Sequence, residues 1–491
     1  MLRTKTTRHL LYIAFAVLMC ILYYNISLRV VLNSDIASAL LEAKDISSGN
    51  FILKGWSLST GSFFFTEIIW YALLIKVLGY SYELAHIVPS IYLVFLCFLT
   101  IMLSENKKMG FLFSLFFIGS PTLFLAINIL HTVIHVGTYI FCLISLTLAL
   151  KYINNAEKKN LLLLFPLLLF AYASDSIALY IFLLPNLIVL FLSVMNIRFK
   201  KDTRWAHLLV VNLVGAAGSF VIKKFIAAHG FVIPGLFEIK FASFDQVLQN
   251  TSVIFQGILD LYEADFFGMG LTHSIVIFNI LSFFSLILFI SAYISKLLKF
   301  KLFDNNDIFL VIASLITPFA FIFSTVSQGP GSIRYILPFF IFGTIFVSRK
   351  NIPLLINIRY KLLFTFIILV ASFAHIKSTI NKPIPTNGAQ ELSKALKNHG
   401  LTHGFAEFWN ASSVSVYGDV QIAPVYYNDK NIIQMPWLSK DSWYKDDNNF
   451  VIINDENMKK AAIILYGQPD NIIKTAGYTV YSWKKTIIIG H

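Results

Sequence analysis

Apolar residues along this chain fall into blocks of membrane length, separated by short polar and mostly basic connections. A helix needs about 20 predominantly apolar residues to cross the hydrocarbon core of a bilayer. Blocks of about this length run over 9–32, 84–104, 111–129, 132–150, 160–174, 176–196, 207–228, 273–295, 308–326, 334–348 and 362–378. The pattern predicts a mostly α, polytopic helical membrane protein with about 11 spans. Past residue 378 it changes. Lys382, Pro383 and Pro385 read as a linker, and "AQELSKALKNHG" (389–400) reads as a helix stopped by Gly400. The runs "GFAEFW", "VQIAPVY", "FVIIN", "AAIILYG" and "YTVYSW" read as strands mixed with short helices, so a small α/β domain is expected. The expected organisation is a transmembrane domain over 1–378, with external loops at 33–83 and 229–272, and an α/β domain over 379–491.

Charge orients this arrangement. Basic clusters lie at Arg3/Lys5/Arg8, Lys107/Lys108, Lys158/Lys159, Arg198/Lys200/Lys201/Arg204, Lys296/Lys299/Lys301 and Arg349/Lys350/Arg359/Lys361. With eleven spans all of them fall on one side, which the positive-inside rule makes the cytoplasm. Both loops and the C-terminal domain then face outward. The stretch 63–80, "FFFTEIIWYALLIKVLGY", is long enough to cross, but counting it would put Lys107/Lys108 outside and invert the later clusters. Glu67 and Lys76 would also be costly in lipid. It is expected to lie along the outer interface as an amphipathic helix.

Composition agrees: 57% of the 491 residues are hydrophobic and 13% charged, unlike an ordinary soluble chain. The formal net charge of +13 is accounted for by topology and calls for no nucleic acid. The first block is too long for a signal-peptide core and no small-residue cleavage site follows, so it reads as an uncleaved span. Cys20, Cys97 and Cys142 sit in apolar blocks, which argues against a disulfide framework or a thiolate metal site.

Acidic residues appear where the chain leaves its first block. "SDIASALLEAKDISSGNF" (34–51) carries Asp35, Glu42 and Asp45, and Glu67 follows in an apolar setting. Asp35 reads either as a helix cap or interface residue or as a general base. Glu42 and Asp45 read as a solvated helix face or as part of a site. Apolar surroundings raise a carboxyl's pKa and suit shielded proton transfer. A reaction that moves a group off a phosphate needs such a base and cationic or hydrogen-bond donors for the departing phosphate. Arg334, at the outer start of a late span, suits the phosphate, because guanidinium pairs bidentately with its oxygens; an interface anchor is the plainer reading. "NILHTVIHVG" places His131 and His135 at i, i+4 on one helix face, as interfacial histidines or phosphate contacts. Asp175, between two apolar blocks of which the first is short, is either a turn residue or a functional carboxylate below the outer surface. "LDLYEADFFGMG" adds Asp260, Glu263 and Asp265, as acceptor contacts or loop structure.

Taken together, the stretches "NSDIASALLEAKDISSGNF", "STGSFFFTEIIWYALLIKVLGYSYELAHIVPSIYLVFLCFL", "SIRYILP" (332–338) and "HGFAEFWNASSVSVYGDVQIAPV" (403–425) resemble the GT-C class of membrane glycosyltransferases. The likeness is nearest to bacterial serotype-converting O-antigen glucosyltransferases. In that class an acidic loop helix and a second interfacial helix follow the first span, and an Arg-Tyr-x-x-Pro segment opens a late one. The resemblance implies an inverting enzyme that moves one sugar, with glucose the first expectation, from undecaprenyl phosphate to a polysaccharide acceptor such as lipopolysaccharide O-antigen. It implies Asp35 and Glu67 as catalytic carboxylates and Arg334, Tyr335, His131 and His135 around the donor phosphate. Asp45, Asp175 and Glu263 would contact acceptor or hold structure. Asp35 is followed by Ile36 and not by a second acid, so no divalent metal is expected and the lipid-linked sugar is the only other component. Membrane lipids, a polyprenyl-phosphate sugar synthase and a flippase are the implied partners. The alternatives are a GT-C enzyme acting on protein, lipid A or a cell-wall polymer, a transporter or flippase of lipid-linked sugars, and a non-catalytic assembly factor.

Overall fold

The computed structural model describes residues 2–131, 133–195, 203–235, 238–270, 272–327, 329–352 and 361–490. Arg198, Lys200, Lys201 and Arg359 of the basic clusters lie outside them. The apolar blocks fold as helices, the one open-ended structure that satisfies its own backbone groups in lipid. Among the described residues, eight are long and apolar enough to cross a membrane: Leu10–Ser27, Leu84–Leu103, Val136–Asn155, Thr203–His229, Ile275–Leu297, Asn305–Phe323, Pro330–Val347 and Leu362–Ile380.

The block at 111–129 is not a straight span. Lys107–Gly119 and Leu123–Ile129 meet at 92°, and counting the bent pair as one raises the number to nine. Pro121 at the corner has no N–H to continue the first segment. Thr122 caps the second by accepting from Leu125 N at 3.1 Å, and its own hydroxyl donates to Leu261 O at 2.7 Å. Lys158–Ser174 and Leu179–Val194 are shorter helices. In the stretch 63–80 a single π turn, Phe64–Ile68, leads into Ile69–Leu78. Ten residues rise only about 15 Å. This helix buries Tyr71, Ala72 and Ile75 and exposes Leu73, Val77 and Leu78.

The chain divides into two compact units. One is Met1–Val30, Pro89–Phe220 and Phe237–Pro383; the other is Val31–Val88, Val221–Leu236 and Ile384–His491. The unit that holds the C-terminal region thus also takes in the long stretch Val31–Val88 that follows the first apolar helix. In the first unit, one end of the helices is tied by Arg349. Its Nε donates to Asp307 Oδ1 at 2.8 Å, one terminal nitrogen donates to Asp304 Oδ2 at 2.6 Å, and the other donates to Glu105 Oε1. Asp304 and Asp307 also form a capping box that starts Asn305–Phe323, and the Lys350 N–H donates to Glu105 at 2.7 Å.

In the second unit, β1 (Trp56–Ser57) pairs antiparallel with β5 (Ser439–Lys440), Trp56 opposite Lys440. The other strands are β2 (His403–Glu407), β3 (Gln421–Tyr427), β4 (Ile432–Gln434), β6 (Phe450–Ile453), β7 (Asn471–Thr475) and β8 (Tyr478–Ser482). They form one sheet in the order β4-β3-β2-β6-β8-β7, with β2 parallel to β3 and β6 and the remaining pairs antiparallel. The helix Phe408–Ser415 makes the crossover from β2 to β3, as parallel neighbours require. Helix Gly388–Asn398 sets Leu392 and Leu396 against Ala406, Ile422, Phe450 and Val480. Gly400, at φ +70°, ends that helix turn in the left-handed region. The run "AAIILYG" belongs to helix Glu456–Tyr466, because Asp455 caps it (Met458 N to Oδ1, 2.9 Å) and Met458, Ala461 and Ala462 bury one helical face.

Candidate functional site

In the first unit some of the polar residues named from sequence meet in a chain of contacts that starts at Asp175. The helix Lys158–Ser174 ends there, and Asp175 turns to extended backbone. Its Oδ1 accepts from Ile177 N at 3.1 Å, and its Oδ2 accepts from Thr138 Oγ1 at 2.8 Å and pairs with His135 Nδ1 at 2.6 Å. Asp175 is 4% exposed. A carboxylate buried this far is stable only when paired and hydrogen-bonded, and here it is both. The pairing also fixes the imidazole's orientation, with Nε2 as the ring nitrogen not engaged by Asp175.

His131 and His135 do not share a helix face. Helix Leu123–Ile129 stops before the first, and Val136–Asn155 starts after the second. His135, at φ +77°, is the left-handed residue that opens the new helix, so the i, i+4 spacing has no helix to act on. Both rings are buried. His135 lies 5.3 Å from the Tyr335 ring, and the Arg334 guanidinium sits over that same ring at 5.4 Å. Arg334 and Tyr335 belong to a 3₁₀ turn, Pro330–Ile336, that precedes Leu337–Val347. The Arg334 Nε is buried and has no hydrogen-bond partner among the described residues. Four of the residues named from sequence therefore form one chain of contacts: Asp175, His135, Tyr335 and Arg334.

The middle loop is mostly braced from within. Gln256 Nε2 donates to Asp260 at 2.9 Å and to Asp265 at 3.0 Å, and Asp265 accepts from Phe267 N. Glu263 accepts from Ser378 Oγ at 3.0 Å. Burial raises the Glu263 carboxyl above its ordinary value, against the opposing pull of that hydrogen bond and of Lys382.

In the second unit the acidic loop is the helix Ser34–Ser47. Its cap is Asn33, whose Oδ1 accepts from Ile36 N at 3.1 Å, and not Asp35, which is the helix's second residue and half-buried. Ser34 Oγ donates to Phe408 O at 2.5 Å and Ser38 Oγ to Ser412 Oγ at 3.0 Å, holding this helix on Phe408–Ser415. The solvated-face reading of Glu42 and Asp45 fails. Asp45 accepts from Trp56 Nε1 and Asn50 Nδ2, both at 2.7 Å, and pairs with Lys440 Nζ at 2.9 Å. Glu42 is 2% exposed, with its Oε1 unpartnered. Seven residues, two helical turns, separate it from Asp35, so the two share a face. Glu67 is also 2% exposed, within the π turn.

Burial pushes the Glu42 carboxyl well above the ordinary carboxylate value. Above the unfolded value and below the folded one, the folded chain keeps a proton that the unfolded chain releases. Stability therefore falls as pH rises through that window. Glu42→Gln removes this titration. Its thermal midpoint should match the parent near pH 4.5 and exceed it at pH 8, by about 1 °C per kcal/mol recovered for a chain of this length. A gain that does not grow with pH would contradict a protonated, buried Glu42.

Sequence reasoning missed the burial of Glu42. The cue available was its i+7 spacing from Asp35 with Ala39, Leu40, Ala43 and Ile46 around it, an apolar stripe that a buried carboxyl interrupts. Among the described residues no group of three or more His, Cys, Asp and Glu side chains is arranged to hold a metal ion. No protein-family model matches the chain, and no curated protein sequence does.

Proposed function

We propose that this chain is an inverting glycosyltransferase, a multi-pass protein of the bacterial inner membrane. It moves one sugar, glucose in the simplest case, from undecaprenyl phosphate to a periplasmic polysaccharide such as lipopolysaccharide O-antigen. The observation that carries the reading is the Arg334 guanidinium, whose buried Nε has no hydrogen-bond partner among the described residues. A buried donor left unsatisfied costs about 1–3 kcal/mol, more when charged. A phosphate oxygen is the acceptor that a guanidinium fork fits. The Arg334 guanidinium lies over the Tyr335 ring, and His135, oriented by Asp175, is 5.3 Å from that same ring.

In the reaction the acceptor hydroxyl attacks the anomeric carbon from the side opposite the phosphate. The new C–O bond forms as the C–O bond to phosphate breaks, with inversion. The hydroxyl proton passes to a carboxylate, and the negative charge that leaves with the phosphate needs a cation. Asp35 is the proposed base, with Glu67 as its alternate, and Arg334 the proposed cation; each role rests on that residue's own surroundings. Glu42, whose pKa burial raises, is not assigned this role.

If Arg334 holds the phosphate, Arg334→Lys keeps the charge but loses the planar fork. Each charge-assisted hydrogen bond lost is worth about 1.5–3 kcal/mol, so KM for the lipid-linked donor should rise about tenfold or more. This is read as transfer of label from undecaprenyl-phosphate glucose into polymer. Unchanged kinetics at equal protein level would reduce Arg334 to an interface anchor. A flippase of lipid-linked sugars could use the same guanidinium; it would leave the C–O bond to phosphate intact.

The proposed topology has the N-terminus in the cytoplasm and the C-terminus in the periplasm. Eleven crossings follow when the bent pair, Lys158–Ser174 and Leu179–Val194 each cross and Ile69–Leu78 lies along the outer interface. Reporter fusions after Gly110 should read cytoplasmic and those after Lys382 periplasmic. An outward signal at Gly110 would remove the eleven-span arrangement.

A further inference from the structure

The second unit contains an open cleft of about 290 Å³ that no step above uses. Five separated stretches of chain wall it. Lys44 and Asp45 come from the end of helix Ser34–Ser47, Trp56 and Lys440 from the β1–β5 pair, and Trp443 and Gln421 from the turn after β5 and the start of β3. We infer that this cleft binds a neutral stretch of saccharide, one or two rings of the acceptor polymer. That it belongs to the acceptor rests on the glycosyl-transfer reading; saccharide binding itself does not.

The lining selects the ligand's chemistry. Asp45 is held rigidly by Trp56 Nε1 at 2.7 Å and by Lys440 Nζ at 2.9 Å. Both signs of charge stand side by side, so a free anion meets Asp45 and a free cation meets Lys440 and Lys44. A polyhydroxylated neutral ligand avoids both conflicts, since each hydroxyl donates to a carboxylate and accepts from an ammonium or amide. The indoles of Trp56 and Trp443 meet edge to face at 5.0 Å and, being buried, stiffen one wall of the cleft and leave the polar rim to meet the ligand. A lipid tail would leave the charged lining desolvated without partners. The volume lies at the lower end of the roughly 300–1,000 Å³ usual for small-molecule pockets, which fits one or two rings and no longer segment.

Placement gives the cleft a use. Asp35 and Asp45 lie on one helix, ten residues and about 15 Å apart. A polymer gripped beside Asp45 is held at a sugar remote from the one presented to Asp35. Binding energy from such a remote group can be used at the reacting centre, so short acceptors lose turnover as well as affinity.

The test uses the full chain in lipid nanodiscs, with maltotetraose, chitobiose and a purified O-polysaccharide as probes and inorganic phosphate and ATP as controls. Saturation-transfer NMR should detect at least one saccharide. Gln421→Ala and Lys44→Ala should each weaken it about fivefold to tenfold, the loss of one net hydrogen bond; Gln421 also donates to Asp446 and the Lys44 ammonium lies over the Tyr80 ring, so binding is read well below each variant's own thermal midpoint. The two variants are independent, so misfolding of one leaves the other decisive. Binding of none of the saccharides, saccharide binding equal in parent and variants, or displacement by phosphate or ATP would each overturn the assignment. Labelled-donor transfer is scored on the same samples. Transfer with no cleft-dependent binding sinks the cleft and spares the enzyme reading; cleft-dependent binding with no transfer does the reverse.

Discussion

Asp35→Asn should lower turnover about 10²–10⁴-fold, the usual worth of a positioned general base, while the fold survives. The structure makes this substitution a clean probe. Asn33 and not Asp35 caps the helix Ser34–Ser47, so the change leaves the cap in place. It removes one negative charge from the helix's first turn, worth about 0.3–1 kcal/mol. That is too little to unfold a helix anchored through Ser34 and Ser38. Size and much of the hydrogen bonding are retained, and only the basic lone pair is lost. A residue at the interface for solubility alone predicts unchanged turnover. Glu67→Gln is the matched comparison: if it abolishes turnover and Asp35→Asn does not, the two roles exchange.

Arg349→Ala should cost about 3–5 kcal/mol of stability, the range for breaking a buried ion pair from one side. Arg349 is 13% exposed and faces three carboxylates, of which Asp307 is fully buried. Glu105 and Asp304 are partly exposed and regain water when the guanidinium is lost, so the penalty falls mainly on Asp307. That assignment has its own test. Adding Asp307→Asn to Arg349→Ala removes the stranded charge and should recover part of the loss, a coupling visible as non-additivity. Thermal unfolding in detergent reads both. Additive losses, or a single variant within about 0.5 kcal/mol of the parent as at ordinary surface sites, would show that the cluster is a solvated loop.

Much of the helical layout was legible because lipid imposes one rule, apolar blocks of fixed length, and the basic loops mark their ends. What the rule does not contain is where a block breaks. Pro121 turns one block through 92°, and His135 starts a helix in left-handed backbone, so two histidines that look like a helical pair are not one. Of the runs read as strands mixed with short helices, "AAIILYG" is helical, set by the Asp455 cap and a face of small buried residues. Side-chain pairings within each unit were less legible, since the partners are far apart in sequence. His135 meets Asp175 across 40 residues, Asp45 meets Lys440 across 395, and Arg349 meets Glu105 across 244. Residue types and local spacing named most of the participants. The pairings, and the burial of Glu42, come from packing between segments that no local pattern encodes.

The most direct test of the central claim is a transfer assay with the purified chain in liposomes, supplied with undecaprenyl-phosphate [¹⁴C]glucose and O-polysaccharide. Label should enter the polymer with inverted anomeric configuration and appear in equal amount to undecaprenyl phosphate released, and Asp35→Asn should abolish most of it. Donor carried across the bilayer with its sugar–phosphate bond intact, and no label in polymer, would contradict the account.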